Sequence, residues 1–243
     1  NSTTSFDLVF VRGGSSGDVT PYGNLYNEMF EQASGVFKTL YDYESPRAWA
    51  ADLDDASIYC DGDNAIGELS VNEKYDECLT LDCVGSNVTL DSIKLTVAES
   101  VRHNGTAGSG AGLRWTSSSS AGGPTASSQW IHIGSSNITI EWLECDGSGA
   151  SPTNATAQHF FSNSSADVGN VHFRNNLLYS FDQKGGGIAT RAIYLTTPSG
   201  SVTGTCSILN NIVYDIDPST PSGGDCVGIY AIGGRAENAI YVY

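Results

Sequence analysis

Asp182 and Asp217 lie 35 residues apart, and Tyr194 and Tyr230 lie 36 apart. Similar spacings recur elsewhere in the chain, so each pair can fill one column of a repeating structure. Two carboxylates stacked in this way raise the pKa of one member or bind a cation, for which Ca²⁺ is the natural candidate. Asp215 and Asp225 fall in the same stretch as Asp217, and Lys184 and Arg191 follow Asp182. The catalytic reading of this region therefore uses Asp182, Asp215, Asp217 and Arg191. Asp is also a favoured turn residue, and the competing reading is that these acids are solvated turn caps with no catalytic role. Tyr194 and Tyr230, with Phe161 one repeat earlier, could seat a sugar ring on their faces; burial of the same rings is the alternative.

The remaining chemistry-bearing residues mark no site. His103 stands beside Arg102, His132 alternates with Ile131 and Ile133 and so faces outward, and His159 and His172 fall on different segments. No metal spacing, nucleophile elbow or phosphate loop is present; Gly108-Ser109-Gly110-Ala111-Gly112 lacks the strand-then-helix context and reads as a flexible turn. Asp61-Gly62-Asp63-Asn64 opens like a calcium loop but lacks the later ligands. Cys60, Cys78, Cys83, Cys145, Cys206 and Cys226 lack zinc-site spacing and are disulfide candidates, with buried thiols as the alternative. Sequons begin at Asn1, Asn87, Asn104, Asn137, Asn154 and Asn163, which makes these residues glycosylation candidates.

The elements that must position these residues are mostly short strands. Leu8–Val11 reads as a strand. Leu25, Tyr26, Met29, Phe30 and Ala33 have helical spacing, and Ser45-Pro46 followed by Trp49 and Leu53 reads as a second short helix with a Ser cap. Beyond about residue 56 the helical period disappears. Asn87–Leu95 aligns with Asn137–Cys145 at an offset of 50, which continues at 33 to Asn170–Leu178 and at 35 to Thr205–Val213. Leu143, Asn176 and Asn211 then share a column, as do Cys145, Leu178 and Val213. Phe160-Phe161, Ile193-Tyr194 and Ile229-Tyr230 repeat at 33 and 36, and Ala239–Tyr243 matches Thr205–Leu209 at 34.

Short strands at this period, with no helix between them, cannot be βαβ units. They fit an all-β parallel solenoid, in which like side chains stack and Asn176 over Asn211 forms an amide ladder. Residues 1–55 are expected to form an N-terminal strand and capping helices, and residues 56–243 the coil. Asp42–Trp49, Val97–Gly105 and the two Asn-Asn steps resemble the right-handed parallel β-helix proteins of the pectate-lyase-like type, in the repeat-bearing forms of phage and environmental sequences. That resemblance implies a short helix sealing the amino-terminal end. For the enzymes of that type it implies a groove along one outer sheet with stacked Asp and a neighbouring Arg or Lys.

The chain has 243 residues, with 11 Lys and Arg against 27 Asp and Glu, a net charge of −16. That sign argues against nucleic acid and anionic membranes as partners. No apolar run spans a bilayer, so no membrane insertion is expected. The only Met is Met29, so Asn1 reads as a processed or fragment start. Tyr241-Val242-Tyr243 reads as a strand without a polar cap, which favours self-association or a continuing chain. The expectation is an extracellular structural or adhesive β-helix, a subunit of a filament, fibre or virion appendage, with extracellular glycans as ligands and no cofactor beyond Ca²⁺. The alternative is a polysaccharide lyase or glycoside hydrolase acting along the groove.

Overall fold

The computed structural model describes residues 6–13, 36–83, 87–114, 128–148, 158–163, 168–183, 190–196, 204–218, 226–232 and 240–242. Strands β1 (Phe6–Gly13) and β2 (Val36–Tyr43) precede helix α1 (Pro46–Ala51). From there the strands come in threes. The first three are β3 (Asn64–Leu69), β4 (Lys74–Tyr75) and β5 (Leu79–Leu81), followed by β6 (Ser92–Val97), β7 (Gly112–Arg114) and β8 (Ser128–Ile133). Next come β9 (Ile138–Glu141), β10 (Glu144–Asp146) and β11 (Gln158–Ser162), then β12 (Val171–Arg174), β13 (Leu177–Gln183) and β14 (Thr190–Thr196). The last are β15 (Cys206–Leu209), β16 (Ile212–Pro218), β17 (Cys226–Ile232) and β18 (Ile240–Val242).

Each strand from β3 on pairs with the strand three places along the chain. The order β3, β6, β9, β12, β15, β18 forms one sheet, β4 to β16 a second and β5 to β17 a third. These pairings are parallel, and β1 and β2 extend the first sheet antiparallel beyond β3. A parallel pair needs a long crossover, supplied here by strands of the other two sheets. The chain is thus mostly β with parallel sheets, an arrangement compatible with a parallel β-helix.

Register stacks like side chains inside. Ala65, Ile93, Ile138, Val171 and Cys206 fill one buried column, and Leu95, Ile140, Phe173 and Ile208 the next. Phe173 stacks on Phe161 of the third sheet at 5.0 Å between centroids, closing the core between the two sheets. Asn176 joins its neighbours as the sequence predicts: its Nδ2 donates to Asn211 Oδ1 at 2.9 Å, beside parallel strands. Backbone handedness repeats as well. Trp142, Asn175 and Asn210 all have φ between 53° and 65°, as do Asn137 and Asn170, and Asn tolerates this region better than most residues.

Two expected registers shift. Ile93 pairs with Ile138, an offset of 45 in place of 50, because the alternation of Val88 and Leu90 belongs to a buried segment before β6 and not to the strand. Phe161, not Phe160, pairs with Ile193, and Ser162 pairs with Tyr194, because the ladder from Gln158 and Thr190 onward runs one residue off the expected offset of 33, and two consecutive buried phenylalanines fit either register in the sequence. Phe161 is therefore a core residue and not the predecessor of the tyrosine stack.

The strand expected at Leu8–Val11 lies within β1, and the second expected helix is α1. Ser45 Oγ accepts from the Ala48 N–H at 3.3 Å, and Pro46 occupies the first turn. The helix expected at Leu25–Ala33 lies outside the described residues. Trp49 seals the core with no exposed surface, and its Nε1 donates to Tyr59 Oη at 3.2 Å. Its ring lies so close to Gly67 that a Cβ there would stand 2.7 Å from Cε3. Gly67→Ala is expected to destabilise the protein by about 1–3 kcal/mol through overpacking, read by urea unfolding. An unchanged midpoint would show that Trp49 moves freely.

Candidate functional site

The outer surface of the third sheet gathers the aromatic candidates. Parallel pairing sets Tyr194 beside Tyr230 and Arg191 beside His159. The tyrosine rings stack at 5.5 Å, and His159 stacks on Tyr194 at 5.0 Å. The Arg191 guanidinium carbon lies 4.8 Å from the Tyr194 centroid and 4.1 Å from that of Tyr230. Among the described residues no carboxylate pairs with Arg191, and its buried Nε has no hydrogen-bond partner. The rings hold this cation, leaving a half-buried guanidinium beside two half-buried aromatic faces. Such a surface suits a ligand with an apolar ring face and an acceptor edge.

The acidic candidates are only partly brought together. Asp182 and Asp217 are direct partners on β13 and β16, as their spacing suggests; their side chains, like Asp225 and Lys184, lie outside the described residues. Asp215 is exposed, with φ 54°, and accepts from Ser180 Oγ at 2.9 Å. Asp61 and Asp63 cap turns: Asp61 Oδ1 accepts from the Thr89 N–H and Asp63 Oδ2 from the Cys60 N–H.

Sequence reasoning missed a second cluster, on the second sheet. Glu144 is fully buried, and its carboxylate accepts from the Gly108 N–H at 2.5 Å, the Gly110 N–H at 2.7 Å and Tyr179 Oη at 2.6 Å. Lys74 Nζ lies 3.2 Å away and also donates to the Gly110 carbonyl. The glycine-rich segment expected to be a flexible turn thus wraps an anion, the chain's own Glu144. Beside it Asp146 pairs with Arg114 at 3.1 Å, and Tyr179 stacks on the exposed Tyr214. The 35-residue spacing of Tyr179 and Tyr214 was the available signal. On the first sheet Glu141 bridges Lys94 and Arg174 and accepts from Thr96. Burial alone would raise the Glu141 pKa, but these partners outweigh it and hold the carboxyl below its usual value.

The expected disulfides do not form among the cysteines described. Cys60, Cys78, Cys83, Cys145 and Cys206 are unbridged thiols. Cys145 and Cys206 fill core columns of different sheets, so each is a packing residue; the Cys226 side chain lies outside the described residues. Burial pushes the Cys78 thiol up to about 11, away from reactivity. Of the sequons, Asn87, Asn104 and Asn137 are exposed, while Asn1 and Asn154 lie outside the described residues. Asn163 is buried and its Nδ2 donates to the Thr196 carbonyl at 2.6 Å, so its amide is sequestered in the folded chain.

His103, His132 and His172 all have pKa values lowered by burial. A lowered folded-state value means the unfolded chain binds these protons more readily. Their contribution to stability is therefore complete above the unfolded value of about 6.5 and is lost as pH falls through the folded values. Tm is expected to drop on acidification from about pH 6.5, before the carboxylates titrate. A flat Tm across that interval would contradict the neutral buried rings.

Among the described residues no helix is long and apolar enough to cross a membrane, and no three His, Cys, Asp or Glu side chains converge to hold a metal. Compared with protein-family models, with curated proteins and with solved structures, the chain matches none.

Proposed function

We propose that the chain is a right-handed parallel β-helix of the pectate-lyase-like kind that acts outside the cell as a structural or adhesive element. In this reading it is a self-associating subunit of a filament, fibre or virion appendage, and the wall at Tyr194, Tyr230 and Arg191 binds extracellular glycans without cleaving them. The observation that carries the reading is the role of the described wall carboxylates. Glu141, Glu144 and Asp146 are each bonded to neighbouring strands or to the segment packed on them, so they hold the wall together. Tyr194, Tyr230 and Arg191 are instead half-buried, with part of their surface open to a ligand.

The test is a panel of oligosaccharides incubated with the protein, with binding and product length followed together and particle shape imaged by electron microscopy. Glycan retention without shortening is expected, together with fibres or multimers. Tyr230→Ala is expected to weaken retention about three- to tenfold, the size of one aromatic contact. Depolymerisation of any glycan would overturn the non-catalytic reading. One observation favours a second reading: Asp182 and Asp217 are paired on adjacent parallel strands. Under that reading the chain is a polysaccharide lyase or glycoside hydrolase, with or without Ca²⁺, and Asp217→Ala abolishes cleavage while the fold persists.

A further inference from the structure

Asn104-Gly105 is the only Asn-Gly pair in the chain, and it lies between the short turn of helix at Glu99–Val101 and β7. In any chain such a pair converts only when the Gly amide loses a proton and meets the Asn side chain. Here neighbouring groups supply an acceptor for the amide proton and a donor for the Asn oxygen. The Gly105 N–H donates to His103 Nδ1 at 3.3 Å. His103 Nε2 lies 2.7 Å from the Asn175 carbonyl, which can only accept, so Nε2 carries the ring proton and Nδ1 presents a free lone pair. Asn104 Oδ1 accepts from the Thr106 N–H at 3.0 Å. Ser109 Oγ accepts from the Asn104 N–H at 3.1 Å and donates to the Thr106 carbonyl at 2.6 Å, which fixes the loop. Asn104 is exposed, and Gly105 has φ 90°, a backbone that only glycine adopts without strain.

We propose that Asn104 is a self-modifying site, at which the Gly105 backbone nitrogen attacks Asn104 Cγ with His103 as general base. The bond from Gly105 N to Asn104 Cγ forms while His103 Nδ1 takes the amide proton. Negative charge develops on Oδ1, where the Thr106 N–H already donates, the arrangement of an oxyanion hole. The bond from Cγ to Nδ2 then breaks, Nδ2 takes the proton from the imidazolium, and ammonia leaves. The product is a five-membered succinimide. One water opens it at either carbonyl, leaving an aspartyl residue at this position in its normal linkage or in the isoaspartyl linkage, in which the main chain runs through the side-chain carbon.

The surroundings support the base. Burial lowers the His103 pKa and outweighs the hydrogen bond to the Asn175 carbonyl and the nearby Glu144 carboxylate, which both pull the other way, and Lys74 adds to the lowering, so the ring is neutral at neutral pH. Arg102, next in sequence, is engaged with the Val97 carbonyl and the Trp142 ring. The reaction would place a new carboxylate, or an extra main-chain atom, in the segment that Glu144 holds through Gly108 and Gly110. It also competes with glycosylation, because Asn104-Gly105-Thr106 is a sequon and a sugar would occupy the same Nδ2.

The experiment uses full-length protein from a host that does not glycosylate, incubated folded and, in parallel, unfolded in urea. Peptide mapping reads the exchange of NH for O at residue 104, and isoaspartate is scored separately. Asn104 is expected to convert at least about tenfold faster in the folded chain, the low end of general-base catalysis. His103→Gln, checked for folding by circular dichroism, is expected to fall to the unfolded rate. If that variant does not fold, the pH profile of the wild-type chain decides: a rate that rises with His103 deprotonation and then levels supports the proposal. Conversion slower in the folded chain than in urea, or a rate first order in hydroxide throughout the neutral range, overturns it.

Discussion

Glu144→Ala is expected to lower the free energy of unfolding by about 3–5 kcal/mol, because it strips one partner from a buried charge pair. Lys74 would be left with a side chain 11% exposed and no carboxylate, and the Gly108 and Gly110 amides and the Tyr179 hydroxyl would lose their acceptor. The damage should be local before it is global: the segment from residue 99 to 111, which those amides pin to the second sheet, should become the first site of proteolysis. Glu144→Gln keeps the shape and one acceptor oxygen but not the charge, so it should fall between wild type and Ala. Pairing Glu144→Ala with Lys74→Met should recover part of the loss, since the second change removes the stranded cation. Urea unfolding of the four proteins checks this. A loss under about 1 kcal/mol for Glu144→Ala would show that water or another donor set replaces the carboxylate.

How much of this was legible in the sequence depended on whether partners shared the repeat. Asn176 and Asn211 were readable because strand pairing carries one onto the other, and so was the partnership of Asp182 with Asp217. Tyr194 and Tyr230 were readable for the same reason, although nothing in the spacing revealed that Arg191 would lie across both rings. The registers failed where burial alternated without pairing, at Val88 and Leu90, and where two consecutive residues both turned inward, at Phe160 and Phe161. Glu144 was missed for another reason: Gly108, Gly110 and Tyr179 stand 36, 34 and 35 residues from it, at the repeat spacing, but they are unlike residues, and only like residues in a column stand out in the sequence. The cysteines misled for a different reason. Cys145 and Cys206 occupy buried columns otherwise filled by Leu, Ile, Val, Ala and Tyr75, so their number reflected core packing and not bridging.

Asn176→Ala should cost about as much as losing Glu144, although no charge is involved. The Asn176 side chain is fully buried; its Oδ1 accepts from the Leu143 N–H at 3.0 Å, and its Nδ2 donates to the Ile140 carbonyl and to Asn211 Oδ1. Alanine leaves the first two backbone groups unpaired away from water, at about 1–3 kcal/mol each, so a total loss of about 3–5 kcal/mol is expected in urea unfolding. Asn211 is half-buried, and its Oδ1 also serves the Asn176 backbone N–H while its Nδ2 serves the Phe173 and Leu209 carbonyls. Water can reach some of those groups, so Asn211→Ala should cost about half as much. Asn176→Asp separates hydrogen bonding from size. It keeps the acceptor for Leu143 but turns the donor into a second acceptor aimed at the Ile140 carbonyl and Asn211 Oδ1, so at neutral pH it should be no better than alanine. Asn210→Gly supplies the control at the neighbouring position: φ there is 53°, glycine adopts it freely, and stability should change by only a few tenths of a kcal/mol. If Asn176→Asp instead matches wild type at neutral pH, the amide donor contributes nothing, and the ladder across the parallel strands reduces to packing.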